Sequence, residues 1–285
     1  MINTIHNDLL GTETRYVEGP DYRTRVLTTG AGTPLMLMHG GGGHAETWAR
    51  NLNRLGEFCR PIAFDFVWHG LSSKPAYREG NWLRQFTEQT LELMDQLDIE
   101  KAVFEGESLG GWIAMDMGIN FPDRVEKLIL NTAWGMVPAD QSGATDYAAL
   151  KETSVNALMN PTADLIRKRL DWLMPLGGVT DELVQLRMAL WSRPDTRAAL
   201  KEYYERLFSP SCDALLFDDE SLARITAPTL LLWTEKNPVA GPAEAKRLQS
   251  IIKGSELYVV EGAAHWPQWE RPQEHDSVVK AFLQK

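Results

Sequence analysis

The 285-residue chain predicts an α/β fold, a mostly parallel, doubly wound sheet with an inserted helical cap. Three features point there. Short continuous apolar runs, the sign of strands buried on both faces, alternate with stretches of helical period. The segment Gly106-Glu107-Ser108-Leu109-Gly110-Gly111 falls where strand character ends and helix character begins. The alternation lapses from about Ala133 to Leu222 and then resumes. Strand–helix alternation with buried strands implies a parallel sheet covered on both faces. The middle block must return its ends to neighbouring strands, so it reads as an insertion in one domain. The expected division is a first core part over 1–134, a helical cap over 135–222 and a second core part over 223–285.

In chain order, Thr14 to Gly19 and Arg23 to Thr28 alternate around Pro20-Asp21 and predict an antiparallel hairpin. Pro34 to His39 is a buried strand that ends in His39-Gly40-Gly41-Gly42-Gly43-His44. Ala45 to Leu55 predicts a helix, Pro61 to Phe66 a second buried strand, and Asn81 to Leu97 an amphipathic helix. Lys101 to Gly106 is the strand before the serine and Trp112 to Ile119 the helix after it. Val125 to Asn131 is the next strand, and the helical block follows with its Pro and Gly breaks and several tryptophans. Beyond it come a strand over Pro228 to Trp233, a helix over Pro242 to Ile252, a strand over Glu256 to Val260 and a closing helix over Glu274 to Leu283. No repeat, low-complexity tract or charge block interrupts the pattern.

Composition narrows the function. Hydrophobic residues make up 44% and charged residues 24%, the balance of a soluble globular protein. A net charge of −10 disfavours nucleic acid and anionic membrane as partners, because both demand basic surface. Two cysteines, Cys59 and Cys212, make no disulfide framework, and the N-terminal stretch resembles neither a signal peptide nor a membrane span. The expectation is a cytoplasmic protein acting on a small molecule.

The chemistry begins at Ser108. In G-x-S-x-G between strand and helix, glycines permit a turn too tight for side chains, and the serine hydroxyl is lifted off the sheet edge. The following N–H, that of Leu109, opens a helix and can stabilise a developing negative charge. A serine needs a base. His265 follows the last strand, and loops after the strands of such a sheet gather at one edge. The second oxyanion donor is expected from the glycine run after the third strand, at Gly41. A phosphate loop would need Lys-Ser/Thr after the glycines, where the chain has His44-Ala45. The six histidines form no close metal-ligand set, so neither metal nor cofactor is expected.

Together these residues resemble the α/β-hydrolase family over nearly the whole chain. His265-Trp266-Pro267-Gln268-Trp269-Glu270 and the cap stretch Thr180 to Arg187 resemble, more narrowly, its meta-cleavage-product C–C hydrolases. The resemblance implies a serine nucleophile, no cofactor, and substrate contacts at Gly42, Arg187 and Trp266, with Arg187 holding a carboxylate. It implies C–C bond hydrolysis of a vinylogous diketo acid from aromatic ring cleavage. A carboxylesterase or lactonase is the alternative; a binding protein or cofactor-free oxygenase is a third class on the same fold. Dehalogenase and epoxide hydrolase chemistry would need Asp in place of Ser108. A homodimer is compatible with the chain.

Two positions depart from the family. Where its acid is expected the chain has Asn237, and the alternative position after the previous core strand is Asn131. The expectation is that Asn237 orients His265 through its amide oxygen, with Glu235, two residues earlier, as the alternative; a carboxylate within hydrogen-bond reach of the ring would overturn the reading of Asn237, whose premise is that none is there. The second departure is Glu107, where meta-cleavage hydrolases usually have Asn; it is expected in a supporting hydrogen-bonding role or facing backbone.

Overall fold

The computed structural model describes residues 4–138 and 147–285. Eight strands form one sheet in the order β1-β2-β4-β3-β5-β6-β7-β8. They are β1 (Glu13–Glu18), β2 (Arg23–Thr28), β3 (Pro34–Met38), β4 (Arg60–Phe64), β5 (Ala102–Glu107), β6 (Val125–Asn131), β7 (Thr229–Thr234) and β8 (Glu256–Val260). β1 and β2 form the expected hairpin, β2 runs antiparallel to β4, and every pair from β4 to β8 is parallel. The short α1 (Ile5–Asp8) precedes the sheet. The sheet is flanked by α2 (Ala49–Leu55), α3 (Arg84–Gln96) and α4 (Leu109–Asn120). Between β6 and β7 the chain makes α5 (Tyr147–Met159), α6 (Ala163–Leu173), α7 (Asp181–Ser192), α8 (Pro194–Leu207) and α9 (Asp219–Leu222). α10 (Pro242–Ile251), α11 (Pro267–Glu270) and α12 (Pro272–Leu283) complete it.

Strands β3, β4, β5 and β7 are buried along nearly their whole length because both faces of the sheet are covered there. Along β3, Met36 and Met38 enter one core layer while Leu35 and Leu37 enter the other. Phe104 and Val103 of β5 divide in the same way. Only the two-residue period of a strand is needed to explain this. The first layer continues into α4 and the cap helices; the second is closed by α2 and α12.

Several expected boundaries shift for local reasons. The strand predicted to reach Phe66 ends at Phe64, because Asp65 turns inward to accept hydrogen bonds from the Ala45 and Leu71 N–H groups, both at 2.8 Å, and from Arg25 at 3.1 Å. The predicted helix from Ala45 opens with a tighter turn over Ala45–Trp48 before α2. The helix expected from Asn81 begins at Arg84 after turns closed by Trp82 and Arg84 N–H. The closing helix starts earlier, at Pro272, where proline at the first position loses no hydrogen bond. Among the described residues no helix is long and apolar enough to cross a membrane.

The topology positions a site. After β3 the chain goes to β4 on one side, then returns to β5 on the other. Loops leaving β3 and β5 therefore diverge and open a crevice at the strand ends, the switch point of a doubly wound sheet. The glycine run follows β3 and Ser108 follows β5.

Candidate active site

Ser108 sits at φ 53°, ψ −110°, a strained conformation for a residue with a side chain. The surroundings enforce it. A Cβ on Gly106 would collide with the Gly110 backbone, and one on Gly110 with the Met38 carbonyl of β3. The Ser108 N–H donates to the Asn131 carbonyl at 3.1 Å, and the Ser108 carbonyl accepts from the Trp112 and Trp134 N–H groups, each at 3.1 Å. Strand, turn and helix are thus locked around one hydroxyl. Leu109 is the first residue of α4, so its N–H has no acceptor within the helix.

The glycine run is fixed by His39. Its Nε2 accepts from the Phe66 N–H at 3.1 Å, so its Nδ1 donates to the Gly40 carbonyl at 2.7 Å. Burial holds this imidazole down to about 4, neutral at any ordinary pH. From above, the cap presses on the glycines. A Cβ on Gly41 would meet the Tyr203 hydroxyl and one on Gly42 the Tyr204 hydroxyl. The Trp191 indole donates to the Gly42 carbonyl at 3.2 Å.

Ser108, His265, Gly41, Leu109 and Trp266 all line one narrow cavity of about 50 Å³ beneath the cap. His265 is 2% exposed and tied down at three points. Its N–H donates to the Leu173 carbonyl at 3.1 Å and its carbonyl accepts from Thr132 Oγ1 at 2.9 Å. Its Nδ1 lies 2.8 Å from Asn237 Oδ1. The Asn237 oxygen also accepts the Val239 N–H at 3.0 Å, which fixes the amide orientation. His265 Nδ1 must then carry the proton, leaving the Nε2 lone pair toward the cavity. Glu235 is not its partner: that carboxylate bonds Lys236 at 2.9 Å and the Gly262 N–H at 3.3 Å, in solvent.

The expectation that no carboxylate reaches the ring is overturned. Glu107 Oε1 lies 3.1 Å from His265 Nε2, off the axis of a straight hydrogen bond. The last residue of β5 points its side chain to the face that receives the histidine loop, and strand alternation alone could not give the distance. Burial pushes Glu107 up to about 8, against the lowering pull of the Gly40 N–H, the Arg187 and Arg169 charges and Trp266. Burial, aided by Arg169, pushes His265 down to about 3. Among the described residues no hydrogen bond joins Ser108 Oγ to His265.

Two of the expected substrate contacts stand off the wall. Gly42 lies beneath Tyr204 and Trp191 and does not line the cavity. Arg187 is 2% exposed, its guanidinium 5.5 Å from the Trp191 ring and 5.7 Å from that of Trp266. The arginine on the wall is Arg169, from α6. Among the described residues Arg169 Nη1, Ser154 Oγ and Tyr204 Oη are buried without a well-aligned hydrogen bond, as are Arg187 Nε and Nη2, with Tyr204 lying close to both Arg169 and Ser154. A sign of Arg169 was available: it shares the buried stripe Ile166, Arg169, Leu170, Leu173 of α6, and a cation on an apolar stripe calls for a partner. Asn131 serves elsewhere, its amide donating to Glu105 Oε1 at 3.0 Å and to Gln268 Oε1 at 3.3 Å. Among the described residues no group of three His, Cys, Asp or Glu side chains is arranged to hold a metal ion.

Fold and elbow place the chain in a class: residues 33–272 match the family model for the alpha/beta hydrolase fold, and the chain belongs to that family. Its relatives include meta-cleavage hydrolases. It is 28% identical over 276 residues to a 2-hydroxy-6-oxo-2,4-heptadienoate hydrolase from Pseudomonas putida, covering 94% of this chain and 95% of that one. It is 26% identical over 268 residues to a 2-hydroxymuconate semialdehyde hydrolase from a Pseudomonas species, covering 92% and 90%. The solved structure of the meta-cleavage product hydrolase CumD from Pseudomonas fluorescens superposes with a TM-score of 0.83 at 25% identity, over 96% of this chain and 98% of that one.

Proposed function

We propose that the protein hydrolyses a C–C bond in a vinylogous diketo acid of the meta-cleavage type. The observation that carries this is the cavity whose wall holds Ser108, a buried His265 and Arg169, whose Nη1 has no hydrogen-bond partner among the described residues; relatives that act on such acids support it. Arg169 takes the substrate carboxylate from the wall. Arg187, behind Trp266, adds positive field. The dienol is first ketonised, which places an electron sink beside the bond to be broken. Ser108 then attacks the carbonyl or polarises it for water, His265 Nε2 takes and returns the proton, and the Leu109 and Gly41 N–H groups hold the oxyanion.

The test is loss of absorbance of a ring-fission product, run beside p-nitrophenyl acetate. Ser108→Ala should lower ring-fission turnover at least about 10³-fold, within the roughly 10⁶-fold lost when a serine nucleophile is removed. Arg169→Gln should raise KM for the acid far more than for the neutral ester. Ester turnover without ring-fission activity would make the protein a carboxylesterase instead.

A further inference from the structure

We propose that Glu107 takes over at His265 Nε2 the part that an acid at the position of Asn237 would play at Nδ1, so that the working base is a Glu107–His265 pair sharing one proton. This rests on the reading of Ser108 as nucleophile. Two independent observations carry it. The Glu107 carboxyl and the His265 ring are both buried and stand 3.1 Å apart in the wall of the cavity. Among the described residues neither buried Glu107 oxygen makes a well-aligned hydrogen bond; the Gly40 N–H and Trp266 only pull on the carboxyl from nearby, too little to hold an ionised carboxylate without a further partner. The amide at Asn237 accepts from Nδ1 but brings no charge, so a carboxylate is needed from elsewhere to hold an imidazolium.

The charged and titratable groups facing the pair come from three elements: Glu107 itself from β5, Arg169 from α6, and Arg187 from α7. Tyr204 of α8 lies beside both arginines. With burial dominant, the resting pair is a neutral acid beside a neutral imidazole, the protonated carboxyl standing 3.1 Å from Nε2. Loss of that proton to solvent leaves a carboxylate beside Nε2. Ser108 then transfers its hydroxyl proton to Nε2 as the Ser108 O–C bond forms and the carbonyl π bond becomes the oxyanion. The imidazolium so formed lies between the Glu107 carboxylate and the Asn237 oxygen. It passes the same proton to the leaving group when the tetrahedral centre collapses, and Glu107 ends as it began the cycle, ionised.

Labelling of Ser108 by a fluorophosphonate, followed by mass spectrometry from pH 5 to 10, reads the base without needing the natural substrate. In the wild type the rate should climb about tenfold per pH unit below a plateau near pH 8. Glu107→Gln should abolish that climb and label at least about 100-fold slower at pH 9, and Glu107→Asp should restore a climb. Asn237→Asp returns a charge to Nδ1, so in that background Glu107→Gln should cost less than about tenfold. If Glu107→Gln keeps the wild-type climb and rate while Ser108→Ala is not labelled, the pair is refuted and the nucleophile stands. If the wild type is not labelled at any pH, or Ser108→Ala keeps full ring-fission and ester turnover, the nucleophile falls and the pair with it.

Discussion

Strand β5 carries two buried histidine–carboxylate contacts two residues apart, and they are electrostatic opposites. At the cavity, Glu107 meets His265, whose other nitrogen faces a neutral amide and whose neighbourhood includes Arg169. Deeper in, Glu105 Oε1 lies 2.5 Å from His275 Nε2, while Asp276 Oδ1 holds Nδ1 at 2.8 Å. Burial alone would lower both imidazoles. At His275 the two acids overcome it and push the ring up to about 10, so it is a fixed cation. At His265 nothing overcomes it, and the ring is pushed down to about 3. One acid beside one imidazole, with a nearby guanidinium, leaves a proton free to move. Two acids around one imidazole hold it in place. The lower pair is built for stability, and the upper pair is the one we propose to transfer a proton.

The comparison breaks most easily at His275. Replacing it by Gln leaves Glu105 buried without its cation, while Asp276 keeps Arg54 at 2.6 Å, and removing one partner of such a cluster costs about 3–5 kcal/mol. Urea denaturation at pH 6 should show that loss. The native ring keeps a proton that the unfolded chain releases above pH 6.5, so its stabilisation is complete below that pH and lost as pH rises through about 10. The deficit of the variant should shrink over the same interval.

An effect of comparable size and opposite sign is expected at Glu107. The folded protein holds this proton from pH 4.5 up to about 8 while the unfolded chain has released it, so wild-type stability falls across that window and stays lower above it. Glu107→Gln is neutral throughout. It should match the wild type near pH 4 and exceed it by a few kcal/mol at pH 9, at roughly 1.4 kcal/mol per pKa unit. Equal stability at both pH values would mean that Glu107 is charged in the fold. The smallest change should come from Glu235→Gln, at the solvent-exposed salt bridge with Lys236. Turnover should stay within about twofold and stability should not change measurably.

The fold was readable because its strands are continuous apolar runs. Val125–Asn131 and Glu256–Val260 have the bounds the sequence implies. Helix starts were harder to read, since Ala45 and Asn81 open with turns that propensity does not separate from α-helix. At the site, chain order and sheet topology were enough to bring Ser108 and His265 to one cavity. They could not give the reach of Glu107. Alternation says which face a side chain takes, but whether it touches a loop 158 positions later depends on the twist at the end of β5. Asn237 was readable as the residue at the far nitrogen, because it lies just beyond β7 in the place of an acid.

The tyrosine tips of α8 occupy the volume that side chains at Gly41 and Gly42 would have filled. Roof and floor are therefore cut to one another, and neither can be altered alone. A bulkier residue in the run must swing the tyrosine rings aside or lift the helix that carries them, and a molecule that does the same on its way in uncovers the peptide groups below. For the anion cradle we propose there, occupancy and readiness are one mechanical event.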